Sequence, residues 1–422
     1  MVEKEREQKE ERKKEKKERK RTRRGALGLA AVGLFIIYSL PVLANENAFD
    51  IFADIENVSV GALLEAMPDM GHDLVIDFEY ALQRVNDRDI RLGTMENNRI
   101  ILTRELRELN DAIRDADIRG ISRSRYTMQE IEMLRSRRFM QNQLRSMDIN
   151  EDMITLGNEM ILKNTLANIE TNRLDTLLLM AQIALKERNL AVAKLMYSLG
   201  LESSVELRNM ENSLVRLQLN LESLKNVRDE LLLNLNNMLG FLANDSVSVS
   251  YDFGASQSLP ELQTQLDYNL INLPNIELLQ MDLEYAQFRQ HSYEFLLRNN
   301  ERSQDYLYRG QRYKSSNSIE LQDGVDTALQ AITLQKENLE LSMRTIHGNL
   351  VNLNENLRAQ RLELQHALTD YEDVLVKYQA GLSAELELFS ALLNVIVAEL
   401  DVLRSQINYS NLLFNFDNPH IS

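Results

Sequence analysis

Two stretches of this chain turn in the same way. Residues 197–207 read YSLGLESSVEL and residues 378–388 read YQAGLSAELEL; they share Y-x-x-G-L-x-x-x-x-E-L, with every matched position displaced by 181. The helices that leave these turns repeat in the same register. After Gly200, apolar residues fall at Leu207, Met210, Leu214, Leu217, Leu221, Leu224, Leu231, Leu235 and Met238, with Arg228 in the one polar slot. After Gly381 they fall at Leu388, Ala391, Val395, Ala398, Val402, Tyr409, Leu412 and Phe416, with Ser405 as the exception. Alternating steps of three and four place these residues on one stripe, and a sustained seven-residue period demands a left-handed supercoil.

The approach to each turn is also a long apolar stripe. Before Tyr378 it runs Leu329, Ile332, Leu339, Met343, Ile346, Leu350, Leu353, Leu357, Leu364, Ala367, Tyr371 and Val374, with Lys336 and Gln360 filling two slots. Before Gly200 the reading is Leu174, Leu178, Ala181, Leu185, Val192, Leu195 and Leu199. The fold class is therefore all-α or mainly α, built as two tandem antiparallel coiled-coil hairpins. Five prolines and fifteen glycines in 422 residues suit such helices.

The expected organisation is a basic leader over 1–24, an apolar segment over 25–44, and a connector over 45–95 with one or two short helices. Two repeats follow, 96–242 and 255–418. Each repeat opens on a short helix, near 98–120 and 275–299, and the second begins at Pro274, a residue suited to a first helical turn. The leader holds 13 Lys/Arg and 7 Glu, whereas the other 398 residues hold 35 Lys/Arg against 57 Asp/Glu, net −22. An acidic body excludes nucleic acid as its partner. The twenty uncharged residues 25–44 reach about 30 Å as a helix, long enough for a membrane anchor. Their Val42-Leu43-Ala44 ending equally suits a cleaved signal peptide. Either way the basic leader sends residues 45–422 out of the cytoplasm.

Nothing in the chain reads as catalytic. There is no cysteine, no nucleotide-binding or nucleophile motif, and the five histidines are scattered without a second metal ligand at a useful spacing. No cofactor, no metal and no enzymatic activity are expected. The turns are more informative. Gly200 and Gly381 suit the left-handed conformation that ends a helix, and Leu201 and Leu382 are placed to cover the turn. Ser203 or Ser383 can cap the next helix, and Glu206 and Glu387 lie in its first turns, where the helix dipole favours negative charge.

The ordered set of Y-x-x-G-L tips, the LPNIELL opening and the NLNNMLG closing of the first half resembles the TolC-like outer-membrane efflux proteins, over roughly 96–418. The resemblance implies a homotrimer whose six hairpins close a helical tube across the periplasm. It also implies tips that dock the periplasmic adaptor of an inner-membrane pump. Tyr197, Gly200, Leu201, Glu206, Tyr378, Gly381, Leu382 and Glu387 would then form the docking tips and the gate. Ser383 stands where such members carry an arginine and Ser390 where they carry a second acid, so a charged constriction is implied but not that salt-bridge latch. Localisation follows as outer membrane or periplasm in a two-membrane cell, and otherwise an outward-facing anchor on the cytoplasmic membrane.

The family's membrane barrel needs two strands per half between the short and long helices. GISRSRYTMQE, the first-half connection, is too short for a pair of 9–11-residue strands, and ERSQDYLYRGQRYKSSNSIEL has room for one polar hairpin at most. The barrel strands are therefore expected to be short or missing. A membrane-anchored extracytoplasmic coiled-coil scaffold is the competing reading. A pump adaptor, with one hairpin between β-rich halves, fits less well, because no β-rich sequence is present.

Overall fold

The computed structural model describes residues 74–116, 128–242, 245, 247–253, 259–302 and 315–420. The leader, the 25–44 segment and most of the connector lie outside the described residues, as does most of each short-to-long helix connection. In chain order the elements are β1 (Leu74–Asp77), α1 (Phe78–Arg88), α2 (Ile90–Asp115), α3 (Met128–Ser198), α4 (Ser204–Leu239), β2 (Val247–Ser250), α5 (Leu262–Asn272), α6 (Pro274–Arg302), α7 (Ser315–Gln379) and α8 (Glu385–Asp417). Helices α3 and α7 run 71 and 65 residues, and each returns through α4 or α8, of 36 and 33 residues. Among the described residues the only strands are β1 and β2, four residues each, far shorter than a bilayer-spanning strand. No helix among them is long and apolar enough to cross a membrane.

The duplication begins earlier than the sequence pattern alone suggests. Helix α2 starts at Ile90 rather than near residue 98, and 11-residue helices α1 and α5 precede α2 and α6. Strands β1 and β2 pair in parallel, Leu74 opposite Val247 through Asp77 opposite Ser250. Where the halves bend they use different chemistry. Asp89, between α1 and α2, caps α2 by accepting from the Arg91 amide at 2.8 Å. The buried Asn158 of α3 donates to Asn86 at 2.9 Å and to Asp89 at 3.0 Å, and accepts from Arg91 at 3.2 Å. In the second half Leu273, Ile276 and Met343 fill the same place with an apolar cluster.

The described chain divides into two compact units. One holds Thr176–Glu222 and His366–Glu399, the tip ends of both hairpins; the other holds Leu74–Asp175, Ser223–Gln365 and Leu400–Ser422. In the larger unit α3 sits between α4 and α8. Asn172 donates to the Leu224 carbonyl of α4 at 3.2 Å, Arg404 of α8 pairs with Asp175, and the Lys163 ammonium lies 3.9 Å from the Phe414 ring centre. Helix α8 in turn packs on α7, α5 and α6 through Leu350, Leu357, Leu266, Ile276, Val402, Tyr409 and Phe416. In the tip unit Lys194 pairs with Glu211 of α4 at 3.6 Å, and Arg188 pairs with Glu385 of α8. The order α4, α3, α8, α7 thus holds within each unit.

Burial confirms three of the four stripes and corrects the fourth. On α7 every slot from Ile332 to Val374 is buried or half-buried, Lys336 and Gln360 included, whereas Leu329 is exposed. On α8 the stripe is buried almost throughout, and on α4 it is the less exposed face, with Met210 the exception. On α3 the stripe facing the hairpin partner is instead Asn172, Thr176, Leu179, Ile183, Leu190 and Ala193, all buried. These lie 181 before Leu353, Leu357, Gln360, Leu364, Tyr371 and Val374 of α7. The stripe read from sequence, Leu174 to Leu185, runs on into Arg188, whose partners are on α8; its continuation at Val192, Leu195 and Leu199 is exposed. An inner helix is apolar on two faces, so two heptad phases are both occupied.

Helices α4 and α7 carry a second stripe opposite their seams. On α4 it is Val205, Asn212, Leu219, Asn226 and Leu233; on α7 it is Leu334, Leu341, Gly348, Glu355, Leu362, Thr369 and Val376, every position exposed. An isolated hairpin places charge there.

Candidate functional site

The two tips are built alike. Helix α3 ends with Gly200 at φ 74°, donating to the Tyr197 carbonyl at 3.0 Å, while the Leu201 amide donates to the Met196 carbonyl at 2.9 Å. Gly381, at φ 71°, donates to the Tyr378 carbonyl at 2.9 Å, and Leu382 to the Lys377 carbonyl at 2.7 Å. This paired closure satisfies the last carbonyls of the helix and needs a residue that tolerates positive φ. Leu201 and Leu382 do not cover the turns as expected from the sequence: they are 67 % and 80 % exposed. Tyr378 continues the α7 stripe half-buried, whereas Tyr197 is exposed.

Both return helices open on a serine–glutamate contact, reciprocal at the first tip and one-way at the second. The Glu206 amide donates to the Ser203 hydroxyl at 3.1 Å, and that hydroxyl donates to the Glu206 carboxylate at 3.1 Å. At the second tip Glu387 accepts from the Ser383 hydroxyl, and from the Ala384 amide at 3.4 Å. These bonds hold the Glu387 carboxyl below its ordinary range. Glu206 is also lowered, first by a hydrogen bond shared with Glu202, whose own carboxyl is raised by the same contact. Position 202 corresponds to Ser383, so only the first tip carries an acid pair.

Sequence reasoning missed two contributors. Glu202 could have been found by its four-residue spacing from Glu206. Arg188 was hidden because it occupies a slot in an apolar stripe. Its guanidinium pairs with Glu385 and lies 4.7 Å from the Phe389 ring centre, joining the first-repeat helix to the first turns of α8. Between α7 and α8 an open groove of about 480 Å³ is lined by Asp370, Asp373, Lys377, Leu386, Glu387 and Ser390, among others. Among the described residues no group of three His, Asp or Glu side chains is placed to hold a metal ion.

Two hairpins of this length, each preceded by a short bent helix pair, form the fold of the TolC-like outer-membrane efflux proteins. VceC, an outer membrane protein of Vibrio cholerae, superposes with a TM-score of 0.52 at 10 % identity, over 81 % of this chain and 95 % of its own. A membrane protein of Pseudomonas aeruginosa gives 0.58 at 10 % identity, over 81 % and 93 %. The outer-membrane channel OprN gives 0.52 at 9 % identity, over 90 % and 98 %. No family model matches the sequence, and no curated protein matches it.

Proposed function

We propose that this chain is the passive conduit of an efflux or export system. Copies of it, three by the resemblance, close side by side into a helical tube across the cell envelope. The two tips of each copy dock the periplasmic adaptor of an inner-membrane pump. Residues 45–422 work outside the cytoplasm, in the outer membrane and periplasm of a two-membrane cell or held outward from the cytoplasmic membrane otherwise.

The observation that carries this reading is the pair of exposed stripes on α4 and α7. Helix α3 as far as Arg188, and α8 throughout, bury or half-bury the faces opposite their seams, whereas their repeat counterparts α7 and α4 leave the equivalent faces open. A strip of helices with one unsatisfied edge on each side joins copies head to tail, and such a heterologous contact closes into a ring when the rotation permits. Each large apolar side chain covered adds on the order of 1 kcal/mol or more.

The tips supply the other half of the proposal. Exposed Leu201, Leu382, Tyr197 and Leu199 offer apolar anchors, and Glu206, Glu387 and Asp373 surround them with negative charge suited to a basic or polar partner hairpin. In the assembled tube Tyr378, Gly381 and Glu387, with Gly200, line the constriction, and Arg188 ties the two tips of one copy. An anchored scaffold, the competing reading, gives no reason for open stripes that carry Val205, Leu219 and Leu233 on α4 and Leu334, Leu341, Leu362 and Val376 on α7. Sedimentation of the purified chain separates the two. An elongated trimer is expected; a monomer or a two-chain rod would leave only the scaffold.

A further inference from the structure

The α3–α6 contact differs from the rest of this acidic chain. Arg145 pairs with Glu277 and Arg138 with Glu284, each at 2.6 Å, a ladder with one rung per seven residues. One heptad further on, the rung is broken: Ile131 stands on α3 and His291 on α6. An open groove of about 470 Å³ lies here, with Leu134 and Phe288 as apolar lining and Arg137, Arg138, Glu284 and His291 as polar lining. Arg137 is half-buried and makes neither a hydrogen bond nor an ion pair with any described residue, and Arg138 has Glu284 as its one carboxylate partner among them. Residues 117–145 carry seven arginines against three acids, in a chain whose net charge is −16.

We propose that this groove binds the phosphate headgroup of an anionic phospholipid. Arg137 and Arg138 hold the phosphate oxygens, and Leu134 and Phe288 take the first carbons of the lipid chain. A guanidinium presents a planar fork of donors that matches phosphate geometry, and it keeps its charge when partly removed from water. Two neighbouring guanidinia against one carboxylate leave a net positive site, and the adjoining apolar side chains favour an amphiphile over a fully hydrated anion. The site gives the chain a means of holding a membrane surface.

The chain contains no tryptophan, so Phe288→Trp in the full-length protein is a sole emission reporter inside the groove. Were segment 25–44 a retained anchor, it would bring the protein to any vesicle, so the local reporter is what tells whether the groove meets lipid. Vesicles of acyl-brominated phosphatidylglycerol are expected to quench Trp emission strongly, and brominated phosphatidylcholine weakly. Arg137→Gln should lower the ratio of quenched to unquenched emission about fivefold and Arg137→Gln/Arg138→Gln about thirtyfold, with the lipid unchanged. Equal quenching by the two lipids, or quenching that survives the double substitution, would overturn the proposal. So would an emission shift with inorganic phosphate alone and no bromine quenching, which would mark a free-phosphate site. If Phe288→Trp does not fold, Gln287→Trp on the exposed rim carries the same readout.

Discussion

Leu219 and Leu400 occupy equivalent positions of the two repeats, 181 residues apart and opposite their hairpin seams, yet Leu219 is 64 % exposed and Leu400 is 0 % exposed. Leu400 lies one turn from Arg404, which reaches Asp175 of α3. The same side chain in the same helical phase is therefore core in one repeat and surface in the other. Assembly into a closed tube would remove this inequality.

Substitution separates the two roles. Leu400→Ala should cost about 2–5 kcal/mol of protomer stability by opening a cavity. Leu219→Ala should move the thermal midpoint of the dissociated protomer by no more than about 0.5 kcal/mol equivalent, while Leu219→Asp should abolish assembly with helix content intact. Circular dichroism and sedimentation of the three variants check this. An assembled Leu219→Asp protein would remove α4 from the proposed interface.

Arg188 ties the tip unit's two hairpins through Glu385 and Phe389. Arg188→Ala should increase amide exchange over residues 385–389 without changing exchange in the larger unit, a loss of about 1 kcal/mol for a partly exposed pair. Arg188→Lys should recover little, because an ammonium cannot both pair with the carboxylate and lie flat on the ring. Full recovery by lysine would reduce the contact to simple charge attraction.

The Asp89–Asn158 junction should be sensitive to acid. Its hydrogen bonds with Arg91, aided by Asn158 and the Arg91 amide, hold Asp89 at about 2, below its ordinary 3.8. A depressed carboxyl stabilises the fold fully above its unfolded value and loses that contribution as pH falls from about 4 through about 2. Asp89→Asn should remove about 1–2 kcal/mol at neutral pH and flatten the stability profile across that window. Thermal melts of both proteins from pH 2 to 7 provide the comparison. Parallel profiles would show that Asp89 has no special linkage.

Glycine is required at both tips by backbone geometry. Gly200→Ala and Gly381→Ala should each cost about 1–2 kcal/mol, because positive φ crowds a Cβ against the chain although nothing else lies near it. Equal losses at the two positions are expected from their matched hydrogen bonds. A loss confined to one tip would mean that the other can close in a different way.

How far the sequence revealed this fold depended on how many faces each helix buries. Helices α4 and α7 bury a single seam within the chain, so their stripes could be read almost residue by residue; α8 buries two faces, but its 181-residue register with α4 picks out the seam. Helix α3 is apolar on two faces, and the stripe through Leu174 and Ala181 reads as the hairpin seam although it lies beside α8. The β1–α1 region read only as a connector with one or two short helices, because its order comes from long-range contacts such as Arg84 donating to the Leu239 carbonyl at 2.8 Å. Tip closure was legible since Gly and Ser act locally. The exposure of Leu201 and Leu382 was not, because a turn motif fixes the local backbone and not what packs on a tip side chain.

The central claim is that α4 of one copy meets α7 of the next as α8 meets α3 within a chain. In the tip unit Arg188 lies beside Phe389; shifting each partner by 181 brings Thr369 beside Arg208, and Val376 within a turn of Val205. The chain has no cysteine, so Val205→Cys/Val376→Cys under mild oxidation is the most direct measurement. A closed three-copy tube predicts a cross-linked ladder that stops at three chains. Only intrachain disulfides, no cross-link at all, or a ladder that extends without closing would contradict it.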